Sequence, residues 1–159
     1  MPVDAAALQR NLEAEAAGLR AFVEQLRAEQ AALVNGETER VAALAESKTQ
    51  RLIELSRIAA VRRQILESAG LLPDRAGMEI LLARAGIGAA ASRNAWKQIL
   101  DLTAAAQQLN TTNGMLIGSR LQNTQRALDV LFSAARVPGA YGANGATVSL
   151  RTAHTLAVA

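Results

Sequence analysis

One long helical pattern constrains the fold of this chain more than any other feature of its sequence. Apolar, small and amide side chains recur every three or four residues over its last third, so they share one face of a single helix. The members of this stripe are Trp96, Ile99, Thr103, Ala106, Asn110, Asn113, Ile117, Leu121, Thr124, Leu128 and Leu131. The pattern predicts a helix over residues 92–134 with Ser92 as its N-cap. A helix with such a face needs partner helices.

The N-terminal part of the chain supplies two candidate partners. Residues 4–34 form an amphipathic pattern with a leucine at every seventh position, which is the spacing of a coiled coil. Asn35-Gly36 then interrupts the pattern, because both residues tolerate the left-handed conformation that ends helices. The pattern resumes over residues 38–69. So short a connection predicts an antiparallel hairpin of two helices.

Charged residues in the hairpin are expected to face solvent. Lys48 lies on the inner side of the second helix, and we expect its ammonium group to extend from the helix seam towards water. The charged residues of the first helix that are expected on a solvated face are Glu13, Glu15, Arg20, Glu24, Arg27 and Glu29.

A stop signal separates the hairpin from the last helix. Gly70 suits a left-handed helix end, Pro73 prevents continuation and Asp74 can cap the next helix. A short helix over residues 75–85 is predicted to close one end of the bundle. The fold class is therefore all-α, an antiparallel bundle of three long helices plus one short helix. The bundle is expected over residues 1–135, and a flexible tail over residues 136–159.

Composition excludes several classes of function. Apolar residues make up 50% of the chain and aromatic residues only 3%, which favours packing of helices on helices. The sequence has no cysteine and one histidine, so we expect no metal site and no cofactor. No carboxylate pair, nucleophile–base set or phosphate loop is recognisable, so we do not expect an enzyme.

Charge and hydropathy narrow the expected partners and location. The pI is 10.2, but the net charge is only +3 and no block of basic residues occurs, so nucleic acid is not an expected partner. No apolar run is long enough for a membrane span and the N-terminus lacks a signal-peptide pattern. We therefore predict a cytoplasmic protein that does not insert into a membrane.

The length of the last helix predicts a binding surface. At 1.5 Å per residue it would measure about 60 Å, against roughly 45 Å for each hairpin helix. Leu121, Leu128, Leu131 and Phe132 would then lack a partner within the chain and would mark a protein-binding site or an oligomer seam. The alternative is a bent or frayed helix whose row of apolar residues is buried.

Polar and small residues on this helix allow two interpretations each. Asn110 and Asn113 could be buried amides that set helix register, or they could contact a bound peptide. Gly114 and Gly118 would let another backbone approach closely, from either the second helix or another protein. Tyr141, in the predicted tail, either has no role or is suited to insertion into a pocket of a partner.

These residues carry a resemblance to a known family. The motif N-x-x-N-G-x-L-I over residues 110–117, the motif R-L-x-x-x-Q-R-A-L over residues 120–128, and Tyr141-Gly142 resemble the FlgN family of flagellar type III export chaperones. The helical hairpin, the G-L-L-P sequence of residues 70–73 and a tryptophan early in the last helix agree with that family.

The resemblance implies a chaperone for a client protein. Its expected clients are the hook-associated (hook–filament junction) proteins, whose C-terminal segments it would keep from assembling early and deliver to the type III export gate. Tyr141 resembles the residue that contacts the export gate. The residues implied in client binding are Asn110, Asn113, Leu116, Ile117, Leu121, Leu128 and Leu131. The alternative function is a helical adaptor or a coiled-coil homo-oligomer unrelated to export.

Overall fold

The computed structural model describes residues 4–135, apart from the side chains of residues 87, 134 and 135. The described chain is helical and contains no strand. Its elements are α1 (Ala5–Asn35), α2 (Thr38–Ser68), α3 (Arg75–Arg84), a 3₁₀ turn (Ile87–Ala89) and α4 (Ala90–Ala135). The prediction of an all-α bundle with three long helices and one short helix is confirmed. The predicted flexible tail, 136–159, lies outside the described residues.

The chain divides into two compact units, Met1–Gly118 and Ser119–Ala159. The boundary falls within α4. The first unit contains α1, α2, α3 and the N-terminal part of α4, and it holds all the buried residues named below. In the second unit the structure describes residues 119–135, which are helical throughout. The predicted boundary between bundle and tail, at residue 135, stays a prediction.

Capping interactions define the ends of the first hairpin helix. The Asp4 carboxylate accepts hydrogen bonds from the backbone N–H groups of Ala6 and Ala7, at 3.0 and 3.1 Å, and so caps α1. Gly36 has a φ of 78° and ends the helix in the left-handed conformation, as its position after Asn35 predicts. Next to it, hydrogen bonds from Arg40 and Asn35 hold the pKa of the Glu37 carboxyl below its usual value.

The helices α1 and α2 form the predicted antiparallel hairpin. The Asn11 side chain donates to the Ile58 carbonyl, whereas Gln25, further along α1, donates to the Leu44 carbonyl earlier in α2. Gly18 allows a close approach between them, because a Cβ at this position would lie 2.9 Å from the Leu55 side chain. The hairpin therefore combines apolar packing with side-chain bonds to the backbone of the opposite helix.

The short α3 closes one end of the first unit. Asp74 accepts from the Gly77 N–H at 2.7 Å and caps α3, as predicted. Met78, Leu81 and Leu82 enter a cluster of buried side chains from α1, α2 and α4. Gly77 itself packs on the preceding loop, since a Cβ here would lie 2.0 Å from the Leu72 carbonyl oxygen. Only glycine fits at this position without movement of the backbone.

The start of α4 differs from the prediction. Ser92 was expected to cap the helix, but α4 begins at Ala90 and Ser92 is its third residue, with a buried side chain. The 3₁₀ turn over residues 87–89 leads directly into α4, so the helix starts earlier. The Arg93 guanidinium donates to the Leu82 and Gly86 carbonyls and ties this turn to the end of α3.

The helix α1 lies at the centre of the first unit. It contributes ten buried residues, against Leu66 alone from α2. One apolar cluster joins α1, α2 and α3 to Trp96 and Ile99 of α4, and a second joins Phe22, Val23 and Leu26 to Ala106. Residues later in α1 contact residues later in α4, so these two helices run in the same direction. Both run antiparallel to α2. Trp96, the first member of the stripe, is a core residue.

A buried ion pair joins α1 to α2 near this tryptophan. The Arg62 guanidinium donates from Nε and Nη2 to the two carboxylate oxygens of Glu15, at 2.8 and 3.1 Å. The same guanidinium lies 5.1 Å from the centroid of the Trp96 ring, within reach of a cation–π interaction. The expectation that Glu15 faces solvent was wrong, because α2 covers this side of α1 and supplies the countercharge.

A second ion pair, with a buried carboxylate and a partly buried ammonium group, lies further along the same seam. The Lys48 ammonium donates to both carboxylate oxygens of Glu29, at 2.9 and 3.2 Å. Lys48 therefore lies at the helix seam, as predicted, but its ammonium group bonds a buried carboxylate instead of extending to water. Glu29 was wrongly expected in solvent. Glu15 and Glu29 are fourteen residues apart on α1, and Lys48 and Arg62 are fourteen apart on α2. Both pairs therefore specify the same antiparallel register.

We expect Gly77→Ala to lower the free energy of unfolding by about 1–3 kcal/mol, because the new methyl group collides with the Leu72 carbonyl. The matched control is Gly114→Ala, where a Cβ would meet no atom of residues 4–135 within 4 Å. That variant should raise the free energy of unfolding by about 1 kcal/mol through helix propensity alone. Urea titration followed by circular dichroism measures both. Equal effects of the two substitutions would contradict the proposed clash.

We expect Arg62→Met to lower the free energy of unfolding by about 3–5 kcal/mol, because it leaves the Glu15 carboxylate buried without a countercharge. The double variant Glu15→Leu/Arg62→Met removes both charges and should recover most of this loss. Trp96 fluorescence during urea unfolding reports both variants. A double variant no more stable than the single one would show that the unpaired carboxylate does not cause the loss.

Candidate protein-binding surface on the last helix

The second unit carries a row of exposed apolar side chains. Leu121, Leu128, Leu131 and Phe132, called the apolar row below, lie on one helical face. Each exposes 41% or more of its surface, and Leu121 exposes 70%. Large apolar side chains that recur on one face of a helix are typical of surfaces that bind another protein.

Threonine on the same face adds little polarity. The Thr124 hydroxyl donates to the Arg120 carbonyl one turn earlier, at 3.0 Å. Its hydrogen is therefore used within the helix. Thr124, the polar residue on this face, is thus compatible with contact to an apolar partner.

The opposite face of this helix segment has a different composition. Arg126 and Val130 lie there, about half a turn away from Leu128. Gln125 donates to the Asp129 carboxylate at 3.4 Å on the flank. Val130 has nearly the same exposure as Leu131, 67% against 65%, but points to this other face. The two neighbours therefore form a natural pair for a comparison of the two faces.

Four predicted site residues belong to the first unit, and their environments differ. Asn110 and Ile117 are exposed, Leu116 is half-buried and Asn113 is only 1% exposed. The Asn113 amide donates to the Leu26 carbonyl at 2.9 Å and to the Glu29 carboxylate at 2.8 Å. Of the two asparagines in the motif, one is therefore available to a partner and the other is occupied within the chain.

The two glycines of this region have no packing partner in the described part of the chain. A Cβ at Gly114 or Gly118 would meet no atom within 4 Å. A close approach of α2, one of the two explanations considered for these glycines, is therefore wrong. Glycine inside a helix costs about 1 kcal/mol relative to alanine, and no internal contact in the described chain offsets this cost.

Sequence reasoning missed the polar residues that join the helices. Glu15 and Glu29 lie on the same face of α1 as Gly18 and Gln25, which contact α2. Their spacing of two heptads was a usable signal, since it keeps both carboxylates on the seam. A charged residue on a seam has a buried partner more often than a charged residue on the outer face.

Tyr141, the predicted contact for an export gate, lies outside the described residues. Within residues 4–135, no helix combines the length and the hydropathy that a membrane crossing requires. The same residues contain no cluster of three or more histidine, aspartate or glutamate side chains placed to hold a metal ion.

Comparison with known proteins assigns the family. The family model described as FlgN protein matches residues 1–149. Searches of the curated proteins and of the solved structures give no match. The family match spans the helical bundle and includes both motifs of the last helix. The resemblance inferred from the sequence is thereby confirmed, and the chain belongs to the FlgN family of flagellar-associated chaperones.

Proposed function

We propose that this protein is a cytoplasmic chaperone of flagellar type III export. It binds the C-terminal segments of hook-associated proteins, prevents their premature assembly and delivers them to the export gate. Membership of the FlgN family supports the general role. The observation that carries the binding proposal is the exposure of the apolar row in the second unit.

The apolar row suits an amphipathic client segment. Such a segment buries its own apolar face only when it folds against a complementary surface, and it is prone to self-association when it is free. Leu121, Leu128 and Leu131 follow the alternating three- and four-residue spacing of a coiled-coil seam, with Thr124 between them. A client helix can therefore lie along the segment in the manner of one coiled-coil strand on another.

The exposed residues of the first unit extend the list of candidate contacts. Asn110 offers an amide that can donate to and accept from a client backbone, and Ile117 offers apolar surface. Leu116 is half-buried and presents less area. No atom of the described residues lies near Gly114 or Gly118, which leaves room for a client backbone to approach the helix closely.

The alternative function is a homo-oligomer, which would use the same surface. A second copy of the chain could cover the apolar row and form a coiled coil unrelated to export. A charged substitution in the apolar row distinguishes the two functions. It would dissociate a homo-oligomer, whereas in a chaperone it would abolish client binding.

We expect Leu131→Asp to weaken binding of the C-terminal segment of a hook-associated protein at least tenfold, because an unpaired carboxylate would be buried in the interface. The matched control is Val130→Asp, which adds the same charge at a neighbouring, equally exposed position on the opposite face. Its affinity should stay within about twofold of the parent chain. Isothermal titration calorimetry with the purified segment measures both.

Light scattering on the same proteins distinguishes the alternative. A chaperone with a free apolar row keeps its mass and its circular dichroism spectrum in both variants. A concentration-independent dimer that only Leu131→Asp dissociates, in a chain with no measurable affinity for the segment, would support the oligomer and contradict the chaperone proposal.

The gate contact is assigned to Tyr141. An aromatic side chain between small residues can enter a pocket of a partner at little steric cost. We expect Tyr141→Ala to retain client affinity and to lose binding to the cytoplasmic domain of the export gate. Tyr141→Phe is the control, since it keeps the ring. Pull-down of the gate domain by the client-loaded chaperone measures both, and equal recovery with all three proteins would exclude Tyr141 from the mechanism.

A further inference from the structure

Asn113 joins a buried polar layer that contains one residue from each long helix. Its amide nitrogen donates to Glu29 of α1, and Glu29 accepts two hydrogen bonds from Lys48 of α2. Glu29 is 2% exposed and Asn113 is 1% exposed. The layer therefore connects α4 to both helices of the hairpin through a single carboxylate.

The geometry at Asn113 leaves it unable to reach a partner. The same amide nitrogen also donates to the Leu26 carbonyl, so both of its hydrogens are directed into the bundle. The amide oxygen is buried as well and has no hydrogen-bond partner in the described chain. A client could touch this side chain only after α1 and α4 had separated.

The neighbours of Asn113 on α4 are placed differently. Asn110 precedes it by three residues and Ile117 follows it by four, so all three share one side of the helix within two turns. Asn110 and Ile117 are exposed, whereas Asn113 is anchored between them. Asn113 therefore fixes both the rotation of this segment about its own axis and its position along α1.

We propose that Asn113 is a positioning residue, which acts through Glu29 to fix the orientation in which α4 presents Asn110 and Ile117 to a client. This inference rests on the proposed chaperone function. It also separates the two asparagines of the motif: Asn110 contacts the client and Asn113 does not.

A double-mutant cycle tests the proposal with two measurements, urea unfolding and calorimetric titration of a hook-associated C-terminal segment. The variants are Asn113→Ala, Glu29→Met and the double variant. Methionine removes the carboxylate at similar volume, and Lys48 can extend towards solvent. Both single variants should lower the urea midpoint, and the double variant should lower it by less than the sum.

The client titration distinguishes positioning from contact. Each single variant should weaken client binding about three- to tenfold, and the double variant no more than the weaker-binding single variant. The control for general destabilisation is Gly77→Ala, which destabilises the fold at the start of α3 and should keep the client dissociation constant within about twofold. If Asn113 and Glu29 affected client binding only through the stability of the fold, this control would weaken client binding as well.

Three further outcomes would overturn the inference. Weaker client binding in Asn113→Ala but not in Glu29→Met would indicate that Asn113 contacts the client directly. Unchanged binding in both single variants would show that the layer does not position α4. Additive effects on the urea midpoint would show that the two side chains are not coupled. If the unmodified chain does not bind the segment, the proposed function fails, whereas the urea cycle still tests the coupling between Asn113 and Glu29.

Discussion

Two buried ion pairs on the seam between α1 and α2 determine how the rest of the first unit is arranged. Glu15 pairs with Arg62 and Glu29 pairs with Lys48, at equal spacing on the two antiparallel helices. A shift of the helices by one residue would leave both carboxylates buried without countercharges, which costs several kcal/mol for each. Apolar side chains alone discriminate less strongly between neighbouring registers, because one leucine replaces another at little cost. The ion pairs therefore contribute specificity more than net stability.

Each of these pairs also reaches α4. The Arg62 guanidinium lies over the Trp96 ring, and the Glu29 carboxylate accepts a hydrogen bond from Asn113. The hairpin and α4 are thus connected at two polar positions, with the apolar contacts of Phe22 and Ala106 between them. Polar anchors at two heights along a helix restrict its rotation as well as its translation. In a bundle with few aromatic residues, this restriction compensates for the limited shape specificity of alanine and leucine.

The helical boundaries were predictable because they depend on local chemistry. Gly36 and Gly70 have φ values of 78° and 70°, and Asp74 caps α3, as their residue types indicate. The environments of Glu15, Glu29 and Asn113 were not predictable in the same way. Helical spacing shows which residues share a face, but whether that face is covered depends on a helix that is distant in sequence. Ser92 was misassigned for a related reason, since the preceding 3₁₀ turn depends on tertiary contacts of Arg93.

The same limit applied to the proposed binding site. Asn110 and Asn113 belong to one motif and one stripe, yet only the contacts of Asn113 with α1 reveal that their environments differ. The exposed leucines were predictable from the length of the last helix. The glycines at positions 114 and 118 indicated a close neighbour, and the structure excludes α2 from that place.

The size of the apolar row sets the strength of binding that the proposed chaperone can reach through it. Burial of four large apolar side chains contributes about 6–12 kcal/mol before other terms. Association and ordering of a flexible client oppose it by about 4–15 kcal/mol. The balance allows only modest affinity from these four side chains, so tight capture requires added polar contacts and apolar area on the client. Modest affinity suits a carrier, because a client bound at picomolar strength would dissociate too slowly to be released during export.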